Sequence, residues 1–115
     1  SIIFISHDLA VVRSISHRVL VMYLGRLVEM ADSRSLFTEP RHPYTRALLD
    51  SVPVPDPVVA PKRAPLRGEV PSPVNPPTGC VFHTRCPKAD ARCSSRAPAL
   101  RDLFGARVGC HSATD

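Results

Sequence analysis

The first 79 residues of this 115-residue chain contain no cysteine; all four thiols fall at Cys80, Cys86, Cys93 and Cys110. Thiols confined to one end belong to a local unit rather than to a scattered core. Aromatic residues are scarce too, at 5%, and no nucleic-acid recognition motif is visible. The net charge of +5, carried by 15 basic residues of which 13 are arginine, therefore reads as a solvated surface and not as a nucleic-acid interface. Long hydrophobic runs are missing. The longest is about six residues, against roughly 20 needed to span a bilayer, so any membrane role is expected to be peripheral. No charged leader followed by an apolar segment marks export. Four cysteines in such a chain are expected to bind metal rather than to pair as disulfides.

What is present begins abruptly. Ser1-Ile2-Ile3-Phe4-Ile5 is a strand-like apolar run without a methionine or a lead-in. A buried strand of this kind needs neighbours on both sides, and the chain offers few. The expectation is a C-terminal piece of a longer protein. Ser6-His7-Asp8 supplies capping chemistry for a helix, and Leu9, Val12 and Ile15 continue at helical spacing to about Ser16. Arg18–Tyr23 and Arg26–Met30 are two strand-like runs. Leu24-Gly25 between them suits a two-residue hairpin, in which glycine supplies a positive φ.

From Ala31 the pattern changes. Asp32 or Ser33 can cap a short helix through Phe37, and Tyr44–Leu49 reads as another helix beginning after Pro43. Eleven of the 13 prolines lie between Pro40 and Pro77. Proline lacks the N–H and fixes φ, so residues 51–78 read as an extended, semi-stiff connector.

Residues 79–115 have their own character. Between Cys80 and His111 stand six basic residues (Arg85, Lys88, Arg92, Arg96, Arg101, Arg107) and two acidic ones (Asp90, Asp102). The apolar residues Val81, Phe82, Leu100, Leu103, Phe104 and Val108 are too few to hold a fold alone, and a unit below about 40 residues usually needs metal or disulfides. The spacing C-x5-C-x6-C-x16-C-H lacks the close C-x2–4-C pairs of a structural zinc site and the ferredoxin pattern. Loops can still bring four thiolates together, so an iron–sulfur cluster, Zn²⁺ and plain reduced thiols all stay open. His83 and His111 are candidate substitute ligands, although His111 adjoins Cys110 and one coordination sphere rarely takes both. His42 reads as a turn histidine before a helix, His17 as a surface one. His7, just past a strand-like run, is either a cap or surface histidine or a group that can donate a hydrogen bond to phosphate where open α/β folds bind ligands.

Longer segments carry a resemblance. The run Ile2–Ile5, then Ser6-His7-Asp8, then a helix and VMYLGRLVE resemble the end of an ATP-binding-cassette ATPase. FTEPRHPYTRALL, SVPVPDP and RGEVPSPVNPPTGCVFHTRC are similar to the C-terminal extension of the ATPase subunits of oligopeptide/dipeptide importers, and VMYLGRLVE and SVPVPDP look more like the second of the two ATPase partners. The resemblance implies an α/β fold: the end of a P-loop ATPase domain (1–50), a Pro-rich connector (51–78) and a loop-rich four-cysteine extension (79–115). It implies His7 as the switch histidine that senses the γ-phosphate of ATP held with Mg²⁺, Asp8 as the helix-start residue, and Cys80, Cys86, Cys93 and Cys110 as ligands of a [4Fe–4S] cluster, or of Zn²⁺. It also implies a second ATPase subunit in an ATP sandwich dimer, membrane permease subunits, and a peripheral place on the cytoplasmic face of the inner membrane. The P-loop, the magnesium-holding aspartate, the signature motif and the catalytic glutamate are not among these residues, so this stretch alone is not expected to hydrolyse ATP. The alternative is a stand-alone metal-binding structural or regulatory module.

Overall fold

The computed structural model describes residues 2–51, 70–103 and 105–113. Most of the expected connector, residues 52–69, lies outside them, as does Phe104. Helix α1 (Leu9–Ile15) starts where Asp8 Oδ1 accepts the amide N–H groups of Ala10 at 3.1 Å and Val11 at 3.3 Å. These are donors that the helix itself cannot satisfy.

Strands β1 (Arg18–Tyr23) and β2 (Arg26–Asp32) form the expected hairpin. Leu24 (φ 50°) and Gly25 (φ 76°) both occupy the left-handed region, which matches a type I′ turn and the strand twist on either side. Along β1 the side chains alternate, with Val19, Val21 and Tyr23 buried and Arg18, Leu20 and Met22 exposed. Helix α2 (Ser33–Thr38) is capped by Asp32, whose Oδ1 accepts from the Ser35 amide at 2.9 Å. Helix α3 (Pro43–Asp50) has proline at its first position, where the missing N–H costs nothing.

Two expectations need amending. Residues 2–5 join no strand ladder among the described residues, and Ile2, Ile3 and Ile5 are 92–94% exposed. The apolar pattern is that of a strand, but no described strand lies beside it. The cysteine segment, in turn, is more regular than a loop-rich extension. It contains helix α4 (Ala91–Ser95) and strands β3 (Arg101–Leu103) and β4 (Ala106–Val108).

That segment does not stand apart from the hairpin. One antiparallel sheet runs β1-β2-β4-β3, with Glu29 opposite Val108 and Met30 opposite Arg107. A single apolar cluster joins Val19, Val21, Tyr23, Val28 and Leu36 to Val81, Phe82, Leu103, Val108 and three of the cysteines. The tail's small apolar content is thus supplemented by the hairpin. Phe82, 0% exposed, sits at the centre, with ring centroids 5.2 Å from Tyr23, 5.3 Å from Tyr44 and 5.8 Å from His42. Burial of a phenylalanine of this kind contributes about 2–3 kcal/mol. Among the described residues no helix is long and apolar enough to cross a membrane.

Candidate functional site

The four cysteines converge on one end of the core. Cys80, Cys93 and Cys110 are 8%, 5% and 6% exposed, Cys86 is half-buried, and all four are free thiols. Their mutual influence shows in their acidities. Burial pushes the Cys80 thiol up, and the neighbouring Cys110 and Cys93 add to the effect against the Phe82 amide. Burial likewise raises Cys86, with Cys110, Cys80 and Cys93 contributing. At Cys80 and Cys86 burial thus favours the neutral thiol over the thiolate.

Backbone bonds hold three of the four. The Cys80 amide donates to the Cys93 carbonyl at 2.7 Å, and Thr78 Oγ1 donates to the Ser94 carbonyl at 3.0 Å. The two segments approach so closely that only glycine fits at 79: its φ is +75°, and a Cβ there would collide with the Cys93 carbonyl oxygen and the Ser94 backbone. Cys93 rides on α4, whose N-cap Asp90 accepts the amides of Arg92 (2.9 Å) and Cys93 (3.3 Å) and lies 3.5 Å from the Cys93 thiol. Cys110 follows Gly109, whose amide donates to the Val28 carbonyl at 2.8 Å, and Arg101 Nη2 donates to the carbonyls of Cys110 and Ala113 at 2.9 Å each.

As donors, four converging thiols suit a soft metal or an iron–sulfur cluster. As placed, they are not yet a ligand set: no three His, Cys, Asp or Glu side chains among the described residues are grouped closely enough to hold a metal ion. Each candidate histidine has one ring nitrogen bonded, His83 Nδ1 donating to the Cys80 carbonyl at 2.8 Å and His111 Nε2 to the Arg96 carbonyl at 2.7 Å. Among the basic residues that lie between the cysteines, Arg92 is bound to Asp90 at 2.9 Å. That bond holds the Asp90 carboxyl down at about 2.

His7 stands at the other end of the described chain. Ser6 Oγ accepts the Asp8 amide at 3.0 Å, and Asp8 caps α1. The flanking polar groups are thus occupied by the turn, while the His7 imidazole is exposed and makes no hydrogen bond among the described residues. His17 is exposed, as expected. An open surface depression of about 520 Å³, lined by Thr38, Glu39, Pro40, Arg41, Arg46 and Asp50, includes neither His7 nor a cysteine.

The residue that sequence reasoning missed is Glu29. Its side chain is 0% exposed, and its two carboxylate oxygens accept the backbone amides of Arg41 (2.8 Å) and His42 (3.0 Å). This pins the turn ahead of α3 to strand β2. His42, 1% exposed, then caps α3, its Nδ1 accepting the Tyr44 amide at 3.0 Å. Burial pulls the His42 imidazole down to about 4, against a smaller opposing pull from the Gly109 backbone. The expected turn histidine is therefore also a core residue, packed between the sheet and the cysteine segment. A charged residue inside an apolar strand, Val28-Glu29-Met30, was the available signal for Glu29.

Comparison with known proteins gives these features a context. The family described as oligopeptide/dipeptide transporter, C-terminal region, matches residues 28–93. The probable peptide ABC transporter ATP-binding protein y4tS of Sinorhizobium fredii is 58% identical over 112 residues, 96% of this chain and 32% of that protein. The putative oligopeptide transport ATP-binding protein YkfD of Bacillus subtilis is 53% identical over 112 residues, 95% of this chain and 34% of its own length. OppF, the oligopeptide transport ATP-binding protein of Escherichia coli, is 53% identical over 96% of this chain and 34% of its own. The chain spans about one third of the length of these curated relatives. The matched stretch runs from the strand that carries Glu29 to the third cysteine, and the chain belongs to the family of oligopeptide/dipeptide transporter C-terminal regions.

Proposed function

We propose that this chain is the C-terminal part of an ATP-hydrolysing subunit that powers the import of peptides across a membrane. The observation that carries the reading is the 58% identity, over 96% of the chain, to a probable peptide ABC transporter ATP-binding protein. Residues 1–50 are the end of the ATPase body, 51–78 a connector and 79–115 an accessory unit. Such a subunit works at the inner face of the membrane with permease components and a second ATPase subunit.

His7 is the γ-phosphate sensor in this reading. Its exposed imidazole, held on a turn whose other polar groups are already bonded, is free to donate to a phosphate oxygen of Mg²⁺-bound ATP. A hydrogen bond made to ATP and lost after hydrolysis can bias a two-state assembly. Asp8, committed to capping α1, anchors the turn and leaves proton transfer to other groups. The test is His7→Ala in the full-length ATPase assembled with its permease. Loss of ATP hydrolysis by roughly a hundredfold or more, with nucleotide affinity nearly unchanged, is the expected result; unaltered hydrolysis would remove the role.

The four cysteines are the ligands of a metal centre in the accessory unit: a [4Fe–4S] cluster first, Zn²⁺ second. When bound, such a centre supplies cross-links among segments 80, 86, 93 and 110. The chain's own contribution is to bury three of the thiols in one core. Analysis of anaerobically purified protein for about four irons or one zinc per chain separates the two; neither metal would remove the centre and leave the cysteines as core thiols.

A further inference from the structure

The ties between α1 and the body gather towards the end of the helix away from His7. Val12 packs, half-buried, against the core. The Ser33 hydroxyl at the start of α2 donates to the Arg13 carbonyl at 3.5 Å, and the Ser33 amide to the His17 carbonyl at 2.9 Å. The Arg13 guanidinium carbon lies 5.8 Å from the ring centroid of Phe37, which is half-buried on α2 and packs in turn against the core. Arg13 is exposed and forms no ion pair among the described residues, so the ring is the partner of its charge. At the other end of α1 the turn is bonded into the helix. Asp8 accepts the amides of Ala10 and Val11 on its side chain and that of Val12 on its carbonyl at 3.1 Å. His7 therefore moves with α1 as one piece.

We propose that Arg13 is a positioning residue for His7, acting through its contact with Phe37. The inference rests on the reading of His7 as the γ-phosphate sensor. Val12 sets how closely α1 approaches the core, and Arg13, about 100° further round the helix, sets its rotation. The seven residues of α1 span about 10 Å at about 1.5 Å per residue. A helix held near its last turn is a lever, and a tilt of about 10° moves its leading end by about 2 Å. A hydrogen bond from His7 to phosphate tolerates only a few tenths of an ångström around about 2.9 Å. Small freedom at Arg13 is thus large freedom at the sensor. A cation over an aromatic face at an exposed site favours one arrangement about two- to fivefold. The planar guanidinium also fixes direction, where a lysine ammonium would supply charge alone.

The test is ATP hydrolysis by the full-length subunit assembled with its permease. Arg13→Ala should lower kcat about two- to fivefold, with KM for ATP and the melting temperature unchanged. Phe37→Leu, which keeps an apolar side chain on α2 and removes the ring, should lower kcat to the same extent. Arg13→Lys, which keeps a cation above the ring, should recover part of the loss. In a chain that already carries His7→Ala, Arg13→Ala should slow hydrolysis no further, because its effect passes through His7. An additive loss in that double variant would overturn the proposal. So would a loss in Arg13→Ala that a stably folded Phe37→Leu does not share, since the guanidinium would then act on something other than the ring. The Arg13 variants change an exposed side chain, so they and the double variant decide the matter even where Phe37→Leu melts early. Wild-type kcat in Arg13→Ala beside a large loss in His7→Ala would overturn this inference and leave the sensor reading standing. Wild-type hydrolysis in His7→Ala removes the sensor reading, and this inference with it.

Discussion

Residues 2–15 and the body formed by 18–51 and 79–113 both carry the apolar patterns of regular structure, yet only the body buries them fully; from α1 just Val12 packs, half-buried, against the core. Ile2, Ile3 and Ile5 are almost fully exposed, and α1 has no buried residue at all. In the body, Phe82, Val108, Glu29 and Leu36 are 0–2% exposed. Both regions have caps and turns of good local chemistry. What separates them is long-range pairing: β2 meets β4 and Phe82 meets Tyr23, whereas nothing described pairs with residues 2–5. Local sequence specifies an element, and a partner decides whether that element contributes to stability.

The largest test of this contrast is Phe82→Ala. It removes the ring that joins hairpin, α3 turn and cysteine segment, and should cost about 3–5 kcal/mol in chemical denaturation. Loss should appear in the hairpin as well as in the tail. An effect confined to residues 79–113 would show that the two do not form one unit.

Acid should act next. The His42 imidazole titrates near 6.5 in the unfolded chain and about 4 in the folded one, so between those values the unfolded state binds a proton that the folded state refuses. Stability present above pH 6.5 is lost as pH falls towards 4, by up to about 3 kcal/mol. Thermal melts in that window check it. His42→Asn keeps a helix-capping oxygen and should flatten the dependence, at some cost in ring packing.

Glu29→Gln is smaller. An amide offers one acceptor oxygen where two backbone N–H groups now meet a carboxylate, so about 2 kcal/mol is expected from the unpaired donor and the lost charge. Thermal melts at neutral pH should show the variant unfolding at a lower temperature than wild type. Asp8→Ala should be the mildest. It strips the α1 cap, worth about 1 kcal/mol to that helix, and should leave the denaturation midpoint of the body unmoved. A shift of that midpoint would mean that α1 contributes more to the body than its exposure implies.

Much of the local structure is legible from particular residues. Leu24-Gly25 announces the hairpin turn, Asp32 the cap of α2, Pro43 the start of α3, and the RHPY turn predicts a bonded histidine. The relation of β4 to β2 is not. Strands of three residues carry too little alternation to be read, and pairing across some 80 residues of sequence leaves no local mark. Phe82 reads as one of several apolar residues in a weak tail, and becomes central only because the hairpin supplies Tyr23 opposite it. Glu29 looks like the polar face of a strand until the Arg41 and His42 amides are seen to meet it. Of the candidate site, the cysteines could be named from the sequence. Which three are anchored depends on contacts at Gly79, Val28 and Arg101 that spacing cannot encode.

Hairpin and cysteine segment are one cooperative body, to whose core α1 adds only a partly buried Val12 and residues 2–5 add nothing described. Native-state amide exchange tests it most directly. Amides of β1, β2 and β4 should share one opening free energy, equal to that of global unfolding, while those of α1 exchange through openings that cost far less. Protection of β4 lost well before that of β1 and β2, or α1 amides protected as strongly as the sheet, would contradict it.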